Sequence, residues 1–163
     1  SLMPVASKIE EVRHELTELS QAVPSAEELM RAMVKLLHER MLKYNWVGFY
    51  MLEPEASPPM LVLGAFEGAM TPHTRIPLNQ GICGAAASSG RTVVVDDVSK
   101  DPRYLACSLE TRSEIVVPIF VRGKVVGELD IDSHFAAAFT PEHQDLVQYC
   151  AQLIGNKLET ASR

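Results

Sequence analysis

A chain of 163 residues, 47% hydrophobic and 22% charged, can bury a core, which excludes a disordered chain. Its net charge of −6 supplies no phosphate-facing run of Lys and Arg, which argues against a general nucleic-acid binder and suits a small cationic or zwitterionic ligand better. No apolar run approaches the roughly 20 residues of a membrane span, and three cysteines without regular spacing do not make a secreted disulfide framework, so a cytoplasmic location with reduced thiols is expected. Ser1-Leu2 ahead of Met3 reads as an expression scar, and residues 4–159 are expected to fold as one domain.

Apolar residues at Ile9, Val12, Leu16 and Leu19 predict a helix over residues 5–23, stopped by Pro24. Ser25 with Glu28 three residues on is a capping box, and Leu29, Met33, Leu36, Leu37 and Met41 carry a second helix as far as Lys43. The period then changes. Residues 45–53 read as a strand with Trp46, Gly48 and Tyr50 on one face and Val47, Phe49 and Met51 on the other. After a turn rich in breakers, residues 60–66 return as its hairpin partner, and residues 75–78 form a short extended piece.

Residues 81–89 predict a short Ala-rich helix closed by Gly90 at C′, followed by a strand over 92–95. Residues 96–112 read as a long polar loop, and a structureless loop of that length in a compact domain is more often functional than not. Residues 114–121 and 124–131 make the strongest hairpin, joined through Arg122-Gly123. A last helix starts at Thr140 as N-cap with Pro141 next and runs to about Lys157. Strands in the middle and helices at both ends favour an α+β fold, a central antiparallel sheet with flanking N- and C-terminal helices.

Chemistry concentrates between Gly81 and Ser133. Alternation along residues 124–132 places Val125, Gly127, Leu129 and Ile131 on one face and Val126, Glu128, Asp130 and Asp132 on the other, an apolar side and an acidic one. A sheet face open to water would account for the acidic side. Alternatively, Asp130 and Asp132, joined across the hairpin by Glu114, converge on one pocket, where their repulsion calls for a cation or shared protons. A ligand ammonium would serve. A metal held by Asp130, Asp132, Glu114 and His73 would also serve, but no CxxC, HxxxH or calcium-loop spacing supports one, so none is expected. Cys83 near a helix start is either a thiolate favoured by the helix dipole or a small buried side chain among glycines. Cys107 lies in the polar loop, with Arg103 and Arg112 close in sequence to lower its pKa, and Cys150 sits on the apolar side of the last helix.

Taken in order and spacing, Asn45-Trp46-Val47-Gly48-Phe49-Tyr50, Arg75-Ile76-Pro77, Gly81-Ile82-Cys83-Gly84, Ala106-Cys107, Ser113-Glu114-Ile115-Val116-Val117-Pro118 and Leu129-Asp130-Ile131-Asp132-Ser133 resemble the free methionine-(R)-sulfoxide reductases, a family of GAF domains. The resemblance implies that Cys107 is the nucleophile, passing through a sulfenic acid that a second thiol resolves. It implies that Glu114, Asp130 and Asp132 bind the amino group of the free amino acid and that Trp46 and Tyr50 wall its methyl end. In that family a resolving cysteine stands ten positions before the Gly-Ile-Cys-Gly cysteine, and here that position is His73. Resolution then falls to Cys83 or to an outside thiol, thioredoxin-like or of glutathione type, with no bound cofactor and a homodimer as a compatible assembly. The rival reading is a GAF domain that senses a small molecule without chemistry.

Overall fold

The computed structural model of the chain describes residues 4–105 and 108–161. Helix α1, Val5–Ala22, buries Ile9, Val12 and Leu16, the positions its spacing marks. Helix α2, Ala26–Arg40, begins at the expected cap: the Ser25 hydroxyl accepts from the Glu28 backbone N–H at 3.2 Å, Glu27 and Glu28 sit in the first turn, and His38 and Arg40 in the last, all aligned with the helix dipole. It ends at Arg40, short of the predicted Lys43. Met41 is extended and donates to the Leu37 carbonyl, and Tyr44 turns back to the Met41 carbonyl, which swings the chain into the first strand.

Six strands follow: β1 Trp46–Glu53, β2 Met60–Glu67, β3 Arg75–Pro77, β4 Val93–Val95, β5 Ser113–Val121 and β6 Lys124–Ser133. They form one antiparallel sheet in the order β3-β2-β1-β6-β5-β4. Helix α3, Gly81–Ser89, covers one face and ends at Gly90, whose φ of 68° is the left-handed cap the sequence predicts. Helix α4, Pro141–Ala161, runs a turn beyond the expected Lys157 and packs with α1 and α2 on the other face. There Val47, Phe49, Ile115, Ile119, Leu129 and Ile131 meet Leu16, Leu37, Leu146 and Ile154 in the main core, with Cys150 fully buried among them.

Two expectations need correction. The strict alternation assumed along β6 fails near its start: Ile119 pairs with Gly127 but Phe120 pairs with Val125, so a bulge leaves Val126 as the extra residue. Val126 therefore packs on the main core and Val125 on the opposite face, the reverse of the simple count, while Leu129 and Ile131 keep their predicted side. The segment 96–112 is also not structureless. Asp97 caps a single 3-10 turn, Val98–Lys100, the Val98 N–H donates to the Arg112 carbonyl at 2.8 Å, and the Val98 side chain is buried.

Candidate active site

The β5–β6 ladder pairs Glu114 with Asp132 and Val116 with Asp130, so the three carboxyl groups stand at neighbouring positions of one sheet face, although Asp132 opens on a different cavity from the other two. This face is not open to water: α3 lies over it, and Glu114, Asp130, Asp132 and also Glu128 are all buried, Glu128 completely. The helix can approach because its residues are small. A Cβ at Gly84 would stand 2.7 Å from the Leu78 carbonyl oxygen, Gly81 starts the helix with φ 71°, and Ala86 and Ala87 are buried against the sheet.

That approach sets Cys83 over the acidic strand, where its Sγ donates to Asp130 Oδ2 at 3.5 Å. Burial, then the charges of Asp130, Glu128 and Glu114, push the Cys83 thiol well up, so it is held protonated. The thiolate favoured by the helix start does not form here, because a helix dipole is outweighed by a desolvated site already rich in carboxylates. Burial also raises Glu114, Glu128 and Asp130, Glu114 further through the neighbouring Asp130 and Asp132. Asp130 is raised mainly by burial and is partly held down by its neighbours, the Cys83 thiol among them, so Glu114 and Asp130 titrate as a pair that takes up a proton above the ordinary carboxyl range.

Trp46 and Tyr50 project from β1 onto the same face, rings stacked at 6.2 Å. Gly48 between them is required: a Cβ there would collide with the Trp46 ring. The indole N–H donates to the Ala69 carbonyl at 3.0 Å and the Tyr50 hydroxyl to the His73 carbonyl at 2.7 Å, fixing both rings. The predicted residues divide between two cavities. One of about 30 Å³ is lined by Tyr50, His73, Cys83, Leu105, Glu114 and Asp130. A second of about 110 Å³ holds Trp46 and Asp132 with Asn45, Thr71, Thr111 and His134. Glu114 and Asp132, partners in the ladder, stand one in each.

Cys107, the expected nucleophile, lies outside the described residues. Of the two arginines near it in sequence, Arg103 is engaged by Asp101 through Nε at 3.0 Å and Nη2 at 2.7 Å. Among the described residues the donor set with metal-like geometry is Cys83, Glu114 and Asp130, whose ligand atoms lie within 4.8 Å of one another; His73 and Asp132 are not part of it. Sequence reasoning placed Glu128 on the acidic face but gave it no role. Its signal was available in the carboxylates at 128, 130 and 132, every second residue of one strand. No helix among the described residues is long and apolar enough to cross a membrane.

Comparison with known proteins agrees with this geometry. The GAF domain family matches residues 25–158. The chain is 41% identical over 119 residues to the free methionine-R-sulfoxide reductase of Escherichia coli, covering 72% of this chain and 69% of that protein. The X-ray structure of the free methionine-R-sulfoxide reductase of Neisseria meningitidis in complex with its substrate superposes with a TM-score of 0.91 at 33% identity, covering 99% of this chain and 95% of the other. A Burkholderia vietnamiensis protein described as a putative GAF sensor superposes with a TM-score of 0.89 at 28% identity, covering 99% of this chain and 100% of the other. The antiparallel sheet, the family match over most of the chain and these likenesses together mean that the chain belongs to the GAF-domain family, among the free methionine-R-sulfoxide reductases.

Proposed function

We propose that residues 4–159 act as one domain that reduces free methionine-(R)-sulfoxide to methionine. The observation that carries this reading is the buried carboxyl cluster of Glu114 and Asp130 beneath Tyr50 and Cys83, continued across the ladder by Asp132. A desolvated anionic cradle of this size suits the ammonium of an unattached amino acid, which a peptide-bound methionine lacks. Trp46 and Tyr50 then bound the apolar end of the substrate.

The Cys107 thiolate attacks the sulfoxide sulfur while the Glu114–Asp130 pair gives a proton to the sulfoxide oxygen; the oxygen then passes as hydroxyl to the Cys107 sulfur, an S–O bond forming there as the S–O and S–S bonds at the methionine sulfur break and methionine leaves. Methionine sulfur is reduced by two electrons and Cys107 is oxidised to a sulfenic acid. A second thiol displaces water from it and forms a disulfide, which an external dithiol or glutathione-type reductant opens. With His73 at the position of the usual resolving cysteine, Cys83 or the external thiol supplies that step. For Cys83, Asp130 Oδ2 already accepts its hydrogen bond and can take the proton as sulfur attacks.

A ligand-sensing GAF domain without turnover is the second reading, favoured by His73 at the position of the usual resolving cysteine. Incubating the reduced chain with each epimer of free methionine sulfoxide and dithiothreitol separates the two. Methionine formed from the R epimer alone is the expected result, and no methionine from either epimer supports the sensor.

A further inference from the structure

The acidic face carries more negative capacity than an ammonium needs. Glu128 is completely buried, and neither of its carboxyl oxygens has a hydrogen-bond partner among the described residues; Asp130 Oδ1 is in the same position. Buried polar atoms are nearly always satisfied, so oxygens left in this way point to a group that completes them. Glu128 lies one pleat from Asp130 on the same face of β6, and its carboxyl and the Cys83 thiol influence each other directly. Among the described residues no Lys or Arg forms an ion pair with Glu114, Glu128 or Asp130.

We propose that Cys83, Glu114 and Asp130 form a site for one thiophilic divalent cation of the zinc class, with the Glu128 carboxylate turned toward it as the further anionic donor. The inference goes beyond the reductase reading and does not depend on turnover, although the two share Glu114 and Asp130. The separation of the sulfur from one carboxylate oxygen matches the edge of a tetrahedral site. Bonds of about 2.3 Å to sulfur and about 2.0 Å to oxygen put those two ligand atoms about 3.5 Å apart, and Cys83 Sγ stands 3.5 Å from Asp130 Oδ2. The three ligand atoms already lie within 4.8 Å of one another, so closing on a cation needs side-chain adjustment rather than a change of fold. A thiolate ligand selects zinc, cobalt or cadmium over magnesium or calcium.

Binding exchanges protons for the metal. The Cys83 S–H bond breaks and an S–metal bond forms, and the proton shared by Glu114 and Asp130 is displaced so that both coordinate as carboxylates; the thiol and carboxyl protons leave to solvent. No electrons are transferred. The consequences are that the cation competes with a substrate ammonium for Glu114 and Asp130, and that oxidation of Cys83 by the Cys107 sulfenic acid, which forms a disulfide and water, releases it.

The test is titration of the reduced, metal-free full chain with cobalt(II), followed by the thiolate-to-cobalt charge-transfer band in the near ultraviolet and the visible bands of tetrahedral cobalt. One equivalent should generate both. C83S should abolish the charge-transfer band, whereas C107S and C150A should keep it. E128V should weaken binding by about 10- to 100-fold, as loss of a supporting carboxylate around a metal does. No charge-transfer band at stoichiometric cobalt, or a band that survives C83S, overturns the site; unchanged affinity in E128V overturns the part given to Glu128. Titration with methionine sulfoxide then separates the two readings. Displacement of cobalt supports a shared cradle, and cobalt binding that methionine sulfoxide leaves untouched counts against the amino-acid cradle while the metal site stands.

Discussion

On one face of the sheet Phe49, Ile115, Leu129 and Ile131 are fully buried against Leu16, Leu37, Leu146 and Ile154. On the other, the alternate positions of the same strands bury Glu114, Glu128, Asp130 and Asp132 on the side that α3 covers in part, with Asp132 beside Trp46. Removal from water is common to both, yet it stabilises the first face and raises the proton affinity of the second. The lesson is a division of labour. The helical face supplies the stability that lets the chain keep a set of costly carboxyl groups at the place where chemistry is expected.

The comparison breaks most completely at the loop cysteine. C107S should abolish methionine formation, while C83S should release methionine in a first turnover and then recycle slowly; quenched single-turnover assays read both. If C107S releases methionine like the wild type, the nucleophile is elsewhere. F49A attacks the stabilising face and should cost about 3–5 kcal/mol, measured by urea unfolding, with loss of activity following loss of fold. D130N attacks the functional face. It should cost about 2–5 kcal/mol of substrate binding, about 30-fold or more in KM, without lowering the melting temperature. A D130N chain that unfolds like F49A would erase the distinction between the faces.

E128V is the smallest and the most diagnostic, because its sign is reversed. Removing a buried carboxyl with unpartnered oxygens should stabilise the metal-free chain by about 1–3 kcal/mol, which at about 2–4 °C per kcal/mol is visible in a melt. Its pH dependence follows. Glu114, Glu128 and Asp130 bind protons more tightly folded than unfolded, so their stability contribution is full below the ordinary carboxyl range and is lost as pH rises through their raised values. The wild type should therefore melt at falling temperatures from pH 4.5 upward, and E128V should show a shallower fall. Parallel curves would mean that Glu128 does not carry the strain.

Much of this division is legible in the residues themselves. The alternation of Leu129 and Ile131 with Asp130 and Asp132 assigns the two faces, and Gly90 and Ser25 mark helix ends, because such signals depend on one strand or one turn of chain. The bulge at Val126 was hidden because it arises where β6 passes β5 and β1. There a Cβ at Gly127 would stand 2.7 Å from the Tyr50 carbonyl oxygen, a constraint only the partner strand imposes. The early end of α2 has the same origin, in the direction the chain must take toward β1. The protonated state of Cys83 was hidden too. Its place near a helix start is local information, but the carboxyl groups that decide its charge are some 30 to 50 residues further along the chain.

The amino-group cradle is tested most directly by calorimetric binding to C107S, which cannot turn over, comparing free L-methionine-(R)-sulfoxide with its N-acetyl derivative. The two ligands share the sulfoxide and the side chain and differ at the charged amine. The account predicts that acetylation weakens binding by about 30-fold or more; equal affinities would contradict it.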